Sequence, residues 1–183
     1  MRVIAGSAGG RPLKSPPGGA RPTMDRVKAA IFSSLGDLVP GASVLDLFAG
    51  SGAMGIEALS RGAARAVFVD SNSGCTRCIN ENLRSASCQG GVQAMDAYRF
   101  LDLYAGESEF DIIFADPPYS KKPGDTDHAA ALASSEKLRA ALRPHGLLVL
   151  EKQTGGPALP SELFETIRSK RYGGSEIVFL AKK

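Results

Sequence analysis

The sequence predicts an α/β protein: a mostly parallel seven-stranded sheet with helices on both faces and an antiparallel hairpin strand at the C-terminus. Three observations predict it. From residue 43 onward, short apolar runs alternate with stretches of helical spacing, the pattern of parallel strands buried on both faces. Gly173-Gly174 joins the last two strand-like runs with no room for a crossover helix, so those two must pair antiparallel. The 183 residues, 43% hydrophobic and 22% charged, suit one globular domain that buries roughly 70% of its unfolded surface and needs no disulfide or metal staple.

Residues 2–5 and 11–14 read as the strands of a small hairpin around a 6–10 turn, and Pro16-Pro17-Gly18-Gly19 opens an extended loop. Thr23 is placed to cap a helix with Asp25 in its first turn; Val27, Ala30, Ile31 and Leu35 follow at helical spacing, and Gly36 and Pro40-Gly41 close it. Strands are expected over 43–48, 66–70, 91–95, 110–115, 146–151, 164–172 and 175–181. Helices are expected over 52–61, 74–87, 96–103 and 129–142, the last stopped by Pro144, with a short one near 161–163. The whole is read as one domain, 1–183: a basic hairpin and helix over 1–40 and a catalytic core over 41–183.

Three cysteines cannot all pair, which points to a reducing compartment. The longest apolar runs are far too short for a bilayer, and the first residues lack a signal-peptide stretch. The expectation is a cytoplasmic protein with no membrane partner. The net charge of +3 is uneven: residues 1–28 hold Arg2, Arg11, Lys14, Arg21, Arg26 and Lys28 against Asp25 alone. Such asymmetry marks either a nucleic-acid contact or a solvated arm. Cys75 and Cys78 form a C-x-x-C with no second pair at zinc spacing, so no metal is expected; His128 and His145 have no evident catalytic partner.

Gly50, Gly52 and Gly55 match G-x-G-x-x-G between a strand and a helix, and Asp70 follows twenty residues after Gly50 at the end of the next strand, placed to accept from ribose hydroxyls. By pattern alone this is a dinucleotide site. Asp46, four residues before Gly50, argues otherwise, because a pyrophosphate would be repelled there and a cationic amino group attracted. S-adenosylmethionine carries an ammonium, a sulfonium and a ribose. Asp116-Pro117-Pro118-Tyr119 follows the apolar run 112–115. The two prolines remove N–H donors and stiffen the chain, leaving the carbonyls of Asp116 and Pro117 as acceptors. With the Asp116 carboxylate and the Tyr119 ring, they form a holder for a planar amine, at the strand end where open α/β sheets place ligands.

Asp46-Leu47-Phe48-Ala49-Gly50-Ser51-Gly52 together with Asp116-Pro117-Pro118-Tyr119 resembles the class I amino-methyltransferases, and more closely the RsmD family of bacterial 16S rRNA guanine-N2 methyltransferases. The resemblance extends to 2–6, 21–28, 55–63 and 171–173, covering essentially the whole chain. It implies a Rossmann-like class I methyltransferase fold, S-adenosylmethionine as donor, and as acceptor a guanine amine of 16S rRNA within a small-subunit assembly intermediate, met by a monomer. It implies a donor site of Thr23, Asp46, Phe48, Gly50, Gly52, Asp70, Ser71, Asp96 and Ala97. Asp96 reads equally well as a helix cap, and so does Thr23. Asp116, Pro117, Pro118 and Tyr119 would hold the reacting amine, with Asp116 either its acceptor alone or also its base. Arg2, Arg11, Lys14, Arg21, Arg26, Lys28, Lys121 and Lys122 are the expected RNA contacts. Another amino-methyltransferase, acting on DNA adenine or protein glutamine, and a nicotinamide-binding oxidoreductase or an inert nucleotide-binding module remain as alternatives.

Overall fold

The structure, a computed structural model, describes residues 1–16, 24–120, 122 and 124–183. Pro17-Gly18-Gly19, Arg21, Thr23 and Lys121 lie outside the described residues. The strands are β1 (Ser43–Leu47), β2 (Arg65–Asp70), β3 (Gly91–Ala94), β4 (Phe110–Ala115), β5 (Leu142–Gln153), β6 (Phe164–Tyr172) and β7 (Ser175–Lys182). The helices are α1 (Met24–Leu35), α2 (Ala53–Ser60), α3 (Ser73–Ala86), α4 (Ala97–Leu103), α5 (His128–Ala133) and α6 (Glu136–Ala141).

The strands form one sheet in the order β3-β2-β1-β4-β5-β7-β6. The first five run parallel, while β7 inserts antiparallel between β5 and β6. β1 is central and buried along its whole length. On one face, α1–α3 and the N-terminal segment pack Val3, Phe32, Ile56 and Ile79 onto Phe68, Phe114 and Phe179. The Phe32 and Phe114 rings lie 5.6 Å apart. On the other face, Phe100, Leu132 and Leu138 from α4–α6 cover Leu45, Ile113 and Leu148. No helix among the described residues is long and apolar enough to cross a membrane.

Register positions the site. Leu47 pairs with Val69 on one side and with Ala115 on the other, and Ala115 pairs with Leu150. The next residues, Phe48, Asp70, Asp116 and Glu151, therefore stand in a row along the C-terminal edge. Between β1 and β4 the strand order reverses, the position where such sheets bind ligands.

Four elements differ from expectation. The N-terminal hairpin is a single bridge, Arg2 to Pro12, rather than two strands. Pro12 has no N–H to donate, and the N–H groups of Ile4, Ala5 and Lys14 donate instead to side chains of α2 and α3. The helix expected over 129–142 breaks in two. Ser134 ends α5, and the Ser135 hydroxyl caps α6 by accepting from Leu138 N–H at 3.1 Å. β5 begins before Pro144 instead of after it, and the chain bulges there: pairing jumps from Phe110–Leu142 to Ile112–Leu147, with His145 at φ +66°. Near 161–163 the chain bends without forming a helix. Its carbonyls serve the C-terminus, Leu163 O accepting from Lys183 N–H at 3.0 Å and Ser161 O from Lys183 Nζ at 2.6 Å.

Candidate active site

β1 leaves the sheet at Phe48, whose φ of +56° turns the chain sharply. The loop reaches α2 through Gly52, which caps that helix at φ +75°, a left-handed conformation that favours glycine. Gly55 is needed for a different reason. A Cβ there would lie 2.3 Å from the Phe68 ring, so only glycine lets α2 seat on β2.

Asp46, expected to attract a cationic amino group, is buried. It is 3% exposed, and its Oδ2 accepts from Gly55 N–H at 2.9 Å, tying β1 to the first turn of α2. Burial pushes its carboxyl up to about 8; the Gly55 hydrogen bond opposes that, and the charges of Asp116 and Asp70 add to it. Asp70 holds the loop from the other side. Its Oδ2 accepts from Gly50 N–H and its Oδ1 from Asn72 N–H, both at 2.8 Å. Asn72 Oδ1 in turn accepts from Gly74 N–H at 2.7 Å and caps α3, with Ser71 exposed beside it. Asp96 caps α4, its Oδ1 accepting from Tyr98 N–H at 2.9 Å and Arg99 N–H at 3.1 Å, and Ala97 is buried behind it. Helix capping, one of the two readings of Asp96, is thus present.

Asp116 is exposed at the end of β4, Pro117 is buried and Pro118 exposed. The hydroxyl of Tyr119 donates to Glu151 Oε1 at 2.8 Å and lies 2.8 Å from Ser175 Oγ, which itself donates to the same Glu151 oxygen at 2.6 Å. Desolvation and the Glu151 carboxylate push the Tyr119 phenol up to about 12, with the Ser175 hydrogen bond opposing them. The ring is therefore a fixed, neutral surface. It borders a cleft of about 470 Å³, open to solvent, with Pro117, Pro118, His128, Glu151 and Leu159 among its walls.

Sequence reasoning missed Glu151 and Ser175, and set His128 aside. His128 Nδ1 shares a hydrogen bond with Tyr98 Oη at 2.9 Å, and their rings stack at 5.8 Å. Phe48 meets the pair at 6.3 and 6.1 Å, giving an aromatic floor between the glycine loop and the cleft. An apolar strand ending in Glu was a signal available for Glu151; for Ser175 and His128 there was none.

The expected RNA contacts divide. Lys28 is a correction: its side chain is 3% exposed, with Nζ 3.1 Å from Glu57 Oε2 and donating to Arg2 O at 2.6 Å. Desolvation lowers its pKa while the Glu57 carboxylate opposes the shift. A buried, paired ammonium cannot meet a phosphate. Arg2 lies 3.8 Å from Asp25, and Lys14 Nζ donates to Glu81 at 2.7 Å. Arg11 donates to the Ser85 carbonyl and Ser87 hydroxyl at the end of α3. Arg26 and Lys122 are exposed.

The conserved hypothetical protein 95 family matches over residues 1–181. Ribosomal RNA small subunit methyltransferase D of Haemophilus influenzae is 31% identical over 94% of the chain and 89% of its own length. The chain belongs to the RsmD family. Among solved structures, the Escherichia coli yhhF protein, a candidate methyltransferase, superposes with a TM-score of 0.82 at 30% identity, covering 100% of the chain and 98% of its own. A Thermus thermophilus 16S rRNA N2 G1207 methyltransferase, solved with AdoMet and guanosine, gives a TM-score of 0.69 at 25% identity over 91% of the chain and 44% of its own. The fold is thus that of the class I methyltransferases, as the RsmD resemblance implied.

Proposed function

We propose that this RsmD-family protein transfers a methyl group from S-adenosylmethionine to the exocyclic N2 amine of a guanine in 16S rRNA, acting as a monomer on a small-subunit assembly intermediate. One observation carries the reading. Asp116-Pro117-Pro118-Tyr119 stands at the end of β4, immediately beside the glycine loop after β1, and its last three residues line a surface cleft. The relatives named for small-subunit rRNA methylation, and the N2-guanine methyltransferase with its bound guanosine, support the same acceptor.

The residues fit a cationic donor. Asp46, Asp70 and Asp116 converge on one strand edge, and the N–H groups of Gly50 and Gly55 already serve the first two. An anionic pyrophosphate would meet carboxylates where it needs those donors, which counts against the nicotinamide reading. Bound S-adenosylmethionine supplies an electrophilic methyl on a sulfonium. Asp70 is placed for its ribose, the Phe48–Tyr98–His128 rings for an apolar wall, and the carboxylates for its positive charge.

A guanine amine is a weak nucleophile because its lone pair is delocalised into the ring. Asp116 and the Pro117 carbonyl accept from its two N–H groups, favouring a pyramidal nitrogen with its lone pair turned toward the methyl. The Tyr119 ring, fixed by Glu151 and Ser175, stacks on the base and orients it. This is catalysis by positioning and electrostatics.

The test is transfer of tritiated methyl from the donor to unmodified 16S rRNA, small subunits, DNA and cell protein, with the labelled nucleoside identified by mass spectrometry. N2-methylguanosine from the rRNA or subunits is expected. Label only in adenine or in protein would overturn the acceptor assignment.

A further inference from the structure

The basic residues outside the N-terminal segment are arranged differently. β6 is an edge strand, buried at Phe164 and exposed from Glu165 to Arg171. It carries Arg168, Lys170 and Arg171, and none of these is ion-paired to a described residue. Register puts Arg168 opposite Phe179, Lys170 opposite Ile177 and Tyr172 opposite Ser175. Phe179 and Ile177 belong to the core on the α1 face, so this alternate set of β6 points toward α1. There it meets Ala30, Ile31 and Ser34 across a surface groove of about 290 Å³, and Arg168 Nη1 donates to Ser34 Oγ at 3.1 Å. Arg26, exposed, lies on the same helical stripe at i, i+4 and i+8 with Ala30 and Ser34. Lys170 Nζ stands 5.5 Å from the centre of the Tyr172 ring.

The line Arg168–Lys170–Tyr172 leads to Ser175, whose hydroxyl touches Tyr119 in the acceptor site. A basic rail thus ends beside the cleft. Charges on edge strands also prevent strand-to-strand aggregation, but that role requires neither a groove beside the strand nor an aromatic ring at the end nearest the site. We propose that the α1–β6 groove, through Arg26, Arg168 and Lys170, seats the sugar–phosphate backbone of the RNA that flanks the target base, with Tyr172 as a stacking surface at the near end. This rests on the methyltransferase reading above. It is proposed in place of the N-terminal hairpin as the main phosphate contact, since Lys28 there is buried against Glu57, Lys14 is ion-paired to Glu81 and Arg2 stands 3.8 Å from Asp25.

The test uses the full chain and a transcript of full-length 16S rRNA, with binding followed from 50 to 200 mM salt. Arg26→Ala/Arg168→Ala/Lys170→Ala should flatten the log–log salt slope by about 3, roughly one per phosphate contact. The KM for rRNA should rise with donor affinity, read by calorimetry, unchanged. The charge-preserving variant Arg168→Lys/Lys170→Arg should keep most of the slope. Arg11→Ala/Lys14→Ala should keep all of it. An unchanged slope in the triple variant overturns the proposal, as does an equal loss in the charge-preserving one, which would mean a disturbed fold. Weaker binding to subunits with unchanged binding to the transcript overturns it too, and points to a protein partner. If the wild type binds the transcript with the expected slope but methylates no guanine in rRNA or subunits, the methyltransferase reading fails and the groove stands.

Discussion

Lys28 Nζ lies 3.1 Å from Glu57 Oε2, and both side chains are closed off from solvent. Glu57 also accepts from Ile4 N–H at 2.7 Å, Ala5 N–H at 3.1 Å and Arg61 Nε at 2.7 Å. One carboxylate on α2 thus ties down the N-terminal segment, α1 and its own helix. Removing Glu57 leaves the Lys28 ammonium buried and uncompensated, at a cost of about 3–5 kcal/mol, whereas removing Lys28 leaves Glu57 still paired with Arg61. Glu57→Gln should destabilise by that order in urea melts, and Lys28→Met by less. The double variant should be less destabilised than the two singles added together, because no orphan charge remains. Wild-type stability in either single variant would remove the pair from any structural role.

Asp46 predicts a pH dependence. An ordinary aspartate titrates near 3.8, and burial raises this one to about 8. Between those values the native state holds a proton that the unfolded chain has released. Stability from this group is therefore greatest at low pH and falls as pH rises, by about 1.4 kcal/mol per unit, levelling above 8. Asp46→Asn keeps an acceptor for Gly55 N–H and removes the titration. Its stability relative to wild type should climb from pH 5 to 8 and then stay flat, and a constant difference across that range would contradict the assignment. A cationic donor draws the ionised form, so its binding at neutral pH should release a proton, seen as a calorimetric heat that changes with the buffer. Asp46→Asn should lose both the release and about ten- to a hundredfold in affinity.

The two loops of the proposed site were legible because each is contiguous. Residues 46–55 carry the glycines and the carboxylate within ten positions, and 116–119 are a tetrapeptide. A strand pattern then placed both at the same sheet edge. The Tyr119 hydroxyl finds its partners 32 and 56 residues away, through β5 and an inserted β7 that no local pattern could order. Lys28, in the basic N-terminal segment, was misread for a related reason. A charge count registers Lys28 but not the Glu57 beneath it, nor the Glu81 opposite Lys14. It passed over Arg168 and Lys170, whose surroundings are near neutral in sequence and basic only in space. Where Ser135 capped a new helix by accepting from the N–H three residues on, and where Glu57 reached across elements to occupy the N-terminal backbone, the local periodicity gave way.

Tyr119, Glu151 and Ser175 should act as a unit on orientation. Glu151→Gln retains an oxygen acceptor, Ser175→Ala removes one hydroxyl, and Tyr119→Phe removes the anchor while keeping the ring. Each leaves the β1 loop intact, so donor affinity should stay at the wild-type value. Single-turnover methyl transfer should fall by several-fold in Tyr119→Phe and Ser175→Ala, and most in Tyr119→Ala, which loses the stacking surface. Because the phenol titrates at about 12, the rate should show no Tyr119 limb up to pH 10. Full activity in Tyr119→Ala would mean that the base is held elsewhere.

Asp116 separates binding from chemistry. It stands exposed at the end of β4, while Asp46 and Asp70 accept from the N–H groups of the glycine loop. Asp116→Ala should therefore bind the donor normally and lose methyl transfer by about a hundredfold or more, the order seen when a transition-state hydrogen bond is removed. Asp116 also adds to the negative field that raises Asp46, so the same variant should lower the pH at which Asp46 titrates. Asp116→Asn divides the two chemical roles. The amide oxygen still accepts from the guanine amine, so a purely orienting Asp116 predicts a mild defect. If the carboxylate also takes the proton, the Asn variant should be nearly as slow as Ala, and raising the pH should not restore it. Single-turnover rates at saturating donor, followed from pH 6 to 9, read both outcomes. Wild-type rates in Asp116→Ala would show that the Pro117-Pro118 turn only ends a strand and that the amine binds at another edge of the sheet.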